Sequence, residues 1–105
     1  MTREVRVEPE AIAEIIAASK WYASRRVGLG AEFASAVFDR IDALGRFPDA
    51  ATPVRGLKGS LVARQVRLRR FPYLVVYVVA ADVIRVVAVA HERQLPGYWE
   101  SRLAP

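Results

Sequence analysis

The sequence contains no cysteine and only one histidine, His91. Disulfides, thiolate metal sites and cysteine nucleophiles are therefore excluded, and one imidazole cannot build a zinc site of the usual kind. No apolar run is long enough to span a bilayer, and the first residues lack the apolar core of a signal peptide. These absences predict a soluble domain in the cytoplasm with no metal, no cofactor and no membrane partner.

Lysine is scarce, and acidic residues are scarce in the second half of the chain. Only Lys20 and Lys58 of the 16 basic residues are lysines, and the others are arginines. Residues 51–105 hold nine basic and three acidic side chains, a net charge of +6, whereas residues 1–50 carry −1. Because the arginine guanidinium binds phosphate and carboxylate with two hydrogen bonds, we expect the second half to meet an anionic partner.

The sequence does contain enough apolar material for one compact domain spanning residues 1–105. It is 53% hydrophobic and 26% charged, which excludes a disordered or fibrous chain. Residues 3–7 alternate polar and apolar side chains, as a half-buried strand does. Helical spacing of apolar residues predicts one helix from Pro9 to about Arg26 and a second from about Ala31 to Phe47-Pro48, with Gly28-Leu29-Gly30 between them.

The periodicity changes after a predicted loop from Asp49 to Ser60. Residues 62–69 alternate with a period of two, residues 73–79 form a near-continuous apolar run, and residues 83–90 are rich in β-branched side chains. These segments predict three strands, of which the middle one is covered on much of both faces. The order β-α-α-β-β-β predicts an α+β fold in which a helical hairpin packs on a small, mostly antiparallel sheet.

Few residues are placed for catalysis. Gly28-Leu29-Gly30 joins two helices, whereas a phosphate-binding glycine loop follows a strand, and no Ser-His-Asp arrangement stands out. Glu10 and Glu14, four residues apart on the first helix, are interpreted as a solvated face rather than a catalytic pair. His91 lies where the last strand ends and is either a proton carrier or a structural residue, since no acid or base partner is evident nearby.

Arginines form the densest chemical feature of the second half. Arg67 and Arg69 project from the same side of a predicted strand, next to Arg70, and Arg64 is the exception on the apolar side. They either bind a phosphate backbone or an acidic partner, or form a solvated outer face that discourages edge-to-edge aggregation. Arg85, on the last strand, is expected to face solvent.

Two aromatic residues of the tail, Tyr98 and Trp99, follow Pro96-Gly97. They either stack on a nucleobase or a partner residue, or fold back over the sheet and bury their surface. The mean hydropathy of +0.15 is high for a small monomeric domain. It favours an apolar groove, beside the helical hairpin or on the sheet, that receives a partner segment.

Four groups of residues occur in an order and spacing typical of one toxin superfamily. They are Gly28-Leu29-Gly30 followed by Phe33, Arg46-Phe47-Pro48, Arg69-Arg70-Phe71-Pro72-Tyr73 leading to Tyr77, and Ala88-Val89-Ala90-His91-Glu92-Arg93 before Pro96-Gly97-Tyr98-Trp99. In these residues the chain resembles the RelE/ParE superfamily, the toxins of type II toxin–antitoxin systems. The resemblance covers nearly the whole chain and implies a fold of the same β-α-α-β-β-β order.

The superfamily has two main activities, and the resemblance favours one of them. RelE-like members cleave mRNA on the ribosome with an arginine at the place that Leu74 occupies here, and with another just beyond the last strand, where the simplest match puts Glu92. ParE-like members poison DNA gyrase. Because one arginine is missing and the other is displaced, we predict a ParE-like gyrase inhibitor. The alternative is a RelE-like, ribosome-dependent mRNA endoribonuclease that uses Arg67, His91, Arg93 and Tyr98.

The resemblance also implies a protein partner. Antitoxins of this family typically wrap their toxins with an extended, acidic, amphipathic tail, which would suit the basic second half. We therefore predict a hetero-oligomer with a cognate antitoxin, in addition to the target, which is gyrase or, in the alternative, the ribosome and mRNA. The residues predicted to bind the target or the antitoxin are Arg64, Arg67, Arg69, Arg70, Arg93 and Trp99.

Overall fold

Two helices pack on one face of a mixed β-sheet in the computed structural model, which describes residues 3–46, 52–53 and 62–103. The predicted order of helices and strands is confirmed, with one short strand added. The elements are β1 (Glu4–Val7), α1 (Pro9–Arg25), α2 (Leu29–Arg46), β2 (Thr52–Pro53), β3 (Ala63–Arg67), β4 (Tyr73–Ala80), β5 (Val83–His91) and a 3-10 helix (Glu100–Leu103).

The added strand, β2, corrects part of the predicted loop. Its two residues pair antiparallel with Gln65 and Arg64 of β3, so the chain returns to the sheet before β3 begins. The rest of the segment predicted as a loop lies outside the described residues. The Phe47-Pro48 end of the second helix and Lys58 lie outside them as well.

The sheet has the strand order β1-β5-β4-β3-β2. Only β1 and β5 run parallel, and the other neighbours are antiparallel, as the sequence predicts. The strand β1 pairs with β5 only as far as Val7 opposite Val86, and the N–H of Glu8 then donates to the Val86 carbonyl. Among the described residues, no strand therefore lies next to residues 87–91 of β5 on their outer edge.

Local sequence determines where the helices begin and how closely they pack. Pro9 occupies the first turn of α1 and Glu10 lies at the positive end of its dipole. Gly28, with a φ of +84°, turns the chain into α2. Gly30 already belongs to α2. A Cβ at this position would lie 2.4 Å from the Ser19 carbonyl oxygen of α1. The close approach of the two helices therefore requires glycine at this position.

The sheet is buried on both faces, in agreement with the apolar run predicted for β4. The core between the sheet and the helices includes Phe33, Val37 and Tyr77. A second cluster on the opposite face includes Val76, Val87 and other residues, and the tail covers it. A bulge beside Val76 and Tyr77 shifts the β4–β5 register, so Val87 and Ala88 both belong to this second cluster.

Candidate functional site

The carboxylate of Glu14 lies at the centre of a hydrogen-bond network between α1, β5 and the tail. Its Oε1 accepts hydrogen bonds from the Val89 N–H at 3.0 Å and from Arg102 Nη1 at 2.9 Å. Its Oε2 accepts a short hydrogen bond from the Tyr98 hydroxyl and a longer one, 3.4 Å, from Arg102 Nη2. We call these four groups the Glu14 cluster.

The position of Glu14 corrects its interpretation as part of a solvated helix face. Its side chain is only 20% exposed, and that of Arg102 is 22% exposed. Glu14 follows Ala11 by three residues and precedes Ala18 by four, and both alanines are buried. The sequence signal was therefore its place on the buried stripe of α1, which is unusual for a carboxylate without a partner. Nothing in the sequence identified Arg102 as that partner.

Side chains satisfy the backbone along the outer edge of β5 that β1 leaves uncovered. Arg102 Nη1 donates to the Val87 carbonyl at 3.0 Å, Glu14 accepts from the Val89 N–H, and the Gln94 Oε1 accepts from the His91 N–H at 2.9 Å. Buried or half-buried backbone groups need such partners. Side chains of Arg102, Glu14 and Gln94 thus supply hydrogen bonds that a neighbouring strand would otherwise make.

Arg85 does not face solvent as predicted. Its Nε lies 2.6 Å from Glu8 Oε1, its Nη2 donates to the Arg102 carbonyl, and its side chain is 22% exposed. The prediction fails because the tail folds over this side of β5.

The environment of Glu14 fixes the protonation of its two side-chain donors. Burial, the hydrogen bond to Glu14 and the charge of Glu14 together raise the pKa of Tyr98 well above its usual range. Desolvation acts to lower the pKa of Arg102, but the hydrogen bond and the charge of Glu14 outweigh it, so that this pKa is raised. Both groups therefore stay protonated and donate to Glu14 across the physiological range.

His91 is placed beside Tyr73, and its ring orientation is fixed. The two residues are register partners on β5 and β4, with ring centroids 5.1 Å apart and the rings at 79°. The Nδ1 atom accepts a hydrogen bond from the Arg93 N–H at 3.0 Å. In the neutral ring the hydrogen is therefore on Nε2, so this contact uses Nδ1 as an acceptor and leaves Nε2 as a donor.

The predicted arginines do not act as one group. Arg67 forms an ion pair with Glu92 at 3.1 Å, and Arg70 forms one with Glu32 at 3.0 Å. Arg69 and Arg93 are exposed and make no ion pair with the described residues. Arg64 is half-buried on β3, opposite Tyr77 of β4.

The two tail aromatics fold back over the sheet, as one of the two interpretations held. Trp99 is 3% exposed and packs in the second core with Leu103, and Tyr98 is half-buried against the same cluster. Trp99 is therefore buried in this structure, and its binding role stays a prediction that would require the tail to move. Burying the large indole on the sheet removes apolar area from water, and this outweighs leaving it free for a partner.

An open groove of about 650 Å³ lies beside the helical hairpin. This is one of the two positions at which the sequence predicted an apolar groove. Trp21, which is 53% exposed, stands at one side with the Arg25 guanidinium 4.5 Å from its ring centroid. Most of the lining is apolar or aromatic, and it comes from α1, from the start of β4 and from the end of β5. The lining residues are Glu14, Ala17, Ala18, Trp21, Tyr22, Pro72, Tyr73, Val89, His91 and Gln94.

Within residues 3–46, 52–53 and 62–103, no three histidine, aspartate or glutamate side chains are placed to hold a metal ion. None of the helices in those ranges combines the length and the apolar character that a membrane crossing requires.

Comparisons with known proteins agree with this fold. The structure is similar to a solved chain described as "Chromosomal ParDE TA system from P. aeruginosa", with a TM-score of 0.70 and 13% sequence identity over 86% of this chain and 96% of that one. No curated protein matches the chain significantly. Residues 5–96 match the family model described as "ParE toxin of type II toxin-antitoxin system, parDE". The chain therefore belongs to the ParE family of type II toxins.

Proposed function

We propose that this toxin acts in the cytoplasm by inhibiting DNA gyrase, without catalysing a reaction of its own, and that a cognate antitoxin neutralises it. The observation that carries the proposal is the state of the residues that a ribonuclease would need. Each of them is engaged in a contact that opposes catalysis, is displaced, or is replaced.

Leu74 stands where RelE-like ribonucleases have an arginine, and the strand residues beside it supply little positive charge. Cleavage of RNA requires cations that stabilise the charge developing on the phosphate. In the sheet, Arg67 lies opposite Leu74, and Leu74 lies opposite Ala90, so this row of three neighbouring residues holds one arginine. That arginine is paired with Glu92. This pairing favours the gyrase inhibitor over the endoribonuclease.

The groups available for proton transfer are also unsuitable. The Tyr98 hydroxyl donates to Glu14 and has a raised pKa, so it is a poor acid and a poor source of an oxyanion. The four hydrogen bonds of Glu14 occupy both of its oxygens, which leaves no lone pair directed at a substrate. The Nδ1 atom of His91 already accepts the Arg93 N–H and is therefore not directed at a substrate.

A supercoiling assay tests the target. Purified toxin at stoichiometric excess is expected to inhibit supercoiling by gyrase or to trap cleaved DNA. Absence of both effects would contradict the proposal. Primer extension on mRNA after induction covers the alternative, because codon-positioned cuts would identify an endoribonuclease.

The antitoxin is proposed as an acidic, amphipathic segment. Arg69 and Arg93 offer exposed charge without an ion pair among the described residues, and the groove beside α1 offers apolar surface. We expect the complex to be tight at low ionic strength and to weaken as salt is added. Isothermal titration at two salt concentrations tests this, and an affinity that does not change with salt would exclude a charged contribution.

A further inference from the structure

The end of the described chain, residues 92–103, crosses from the last residue of β5 to the face of the sheet opposite the helices. We call this segment the C-terminal strap. Gly97, with a φ of +81°, turns the strap, and Trp99 and Leu103 then cover the second core. These two side chains are 3% and 5% exposed. The strap is thus part of the folded domain, although it contains no strand and only a short 3-10 helix.

Polar contacts to α1 hold the strap in place, and they join residues that are far apart in sequence. Tyr98 and Arg102 bind Glu14 from 84 and 88 residues further along the chain. The Glu14–Arg102 pair and the Glu8–Arg85 pair are half-buried, whereas the other ion pairs of the described residues have side chains 39–65% exposed. Half-buried pairs are less screened by solvent, so these two contribute more to the structure than the others.

The Glu14 cluster depends on one carboxylate. If that charge is lost, as in Glu14→Gln, the Arg102 guanidinium loses its counter-ion. One carbonyl oxygen then remains where two oxygens accepted from Arg102, Tyr98 and Val89. Half-buried donors without an acceptor are unfavourable, and the strap can restore their hydration only by leaving the sheet. The contacts should therefore be made and lost together rather than one at a time.

The cluster is also reachable from the helical side of the molecule. Glu14 and Gln94 both line the groove beside α1, and Gln94, near the start of the strap, accepts a hydrogen bond from the His91 N–H at the end of β5. The outer surface of the strap carries Arg93 and Leu95, and Leu95 is 77% exposed, the second most exposed large hydrophobic residue described. The conformation of the strap decides how these two residues are presented.

We propose that the C-terminal strap is a conformational device with a closed state, seen here, that the Glu14 carboxylate maintains, and that only the closed strap presents Arg93 and Leu95 to the toxin's target. The second part rests on the proposed function, and the first part does not. Glu14 acts in this device as a positioning residue. It holds the binding surface and does not touch the target.

The closed state can be measured through Trp99. The sequence has two tryptophans, so the Trp21→Phe variant leaves Trp99 as the only one. In that background, Glu14→Gln is expected to raise the acrylamide quenching constant of Trp99 at least threefold. Glu10→Gln is the matched control: Glu10 lies one turn earlier on α1, is exposed and makes no hydrogen bond or ion pair to the described residues. Quenching that stays at the Trp21→Phe level in Glu14→Gln would overturn the closed-state proposal.

Amide hydrogen exchange separates opening of the strap from general destabilisation. The Val89 amide, which donates to Glu14, should exchange at least tenfold faster in Glu14→Gln, while the Val78 amide in the centre of the sheet keeps its rate. Equal acceleration at both positions would overturn the proposal in favour of global unfolding. If Glu14→Gln does not fold, Tyr98→Phe removes a single donor and should give the same pattern at smaller amplitude, and a Val89 rate that does not change in it would overturn the proposal.

Growth arrest after induction tests the presentation of the target-binding residues. At equal soluble levels, Glu14→Gln should lose growth arrest and Glu10→Gln should retain it. An open strap with undiminished toxicity would overturn the presentation of Arg93 and Leu95. If the wild type neither arrests growth nor inhibits gyrase, the proposed function fails, while the quenching and exchange measurements still decide whether Glu14 holds the strap.

Discussion

The two faces of the sheet are covered by different means. On the helical face, α1 and α2 bury apolar side chains at helical spacing, and four aromatic rings, of Tyr22, Phe33, Phe71 and Tyr73, meet there. On the second face, the C-terminal strap contributes Trp99 and Leu103 and is held by polar contacts to Glu14. Buried apolar side chains at regular helical spacing stabilise the first face. The second face depends on a few contacts between residues far apart in sequence. We therefore expect the first to determine the fold and the second to open more easily.

The strongest test of this comparison removes the aromatic centre of the helical face. Phe33 is fully buried, and its ring centroid lies 4.9–5.2 Å from those of Tyr22, Phe71 and Tyr73. Phe33→Ala should lower the free energy of unfolding by about 3–5 kcal/mol, because it removes apolar contacts and leaves a cavity. Phe38→Ala, at a residue on the same helix that is 46% exposed, is the control and should cost less than about 1.5 kcal/mol. Similar losses in urea denaturation would show that the core is not centred on Phe33.

A smaller loss is expected when the second face loses its carboxylate. Glu14→Gln should lower the free energy of unfolding by about 2–3 kcal/mol, since the half-buried charge of Arg102 loses its counter-ion. A double-mutant cycle with Arg102→Met should give a coupling energy of about 1–3 kcal/mol. The same cycle on the exposed Glu4–Arg6 pair should give less than about 0.5 kcal/mol. Equal coupling energies would mean that the half-buried position has no effect.

The helical layer itself can be strained without touching the strap. In Gly30→Ala the new Cβ would meet the Ser19 carbonyl oxygen at 2.4 Å, so α1 and α2 must separate. We expect a loss of about 1–3 kcal/mol in the free energy of unfolding. The quenching constant of Trp99 should not change, because among the described residues no hydrogen bond joins the strap to Ser19 or Gly30. A rise in that constant would show that the two faces are coupled through the helices.

The smallest effect concerns alkaline pH. The pKa of Tyr98 is raised in the folded state, so the unfolded chain loses this proton first as the pH passes about 10. Stability from this group is complete below that pH and falls above it, because the unfolded state then binds fewer protons. Tyr98→Phe should therefore reduce the alkaline loss of stability, measured by denaturation between pH 8 and about 11. Burial also raises the pKa values of Tyr22 and Tyr73, so part of the loss should remain. A variant with an unchanged pH profile would contradict a role for Tyr98.

The sequence predicted the helical face better than the second face, for a physical reason. Val37 and Ile41 follow helical spacing, and the β4 run that contains Tyr77 is apolar throughout, so local pattern alone indicated their burial. Glu14 gave the opposite outcome, because a carboxylate on a helix is ordinarily solvated and its partner Arg102 is 88 residues away. Trp99 was predicted as a contact residue, yet the same aromatic character also suits it for burial. Position relative to the sheet decided between the two, and no sequence pattern encodes that position.

The edge of β5 beyond β1 affects how copies of this chain behave at high concentration. An open strand edge can template another strand, which is the first step of domain swapping and fibril growth. Beyond β1, the edge of β5 presents Arg102, Glu14 and Gln94 where that incoming strand would need free carbonyl and N–H groups. These side chains therefore hinder the self-assembly of a strand as apolar as β5.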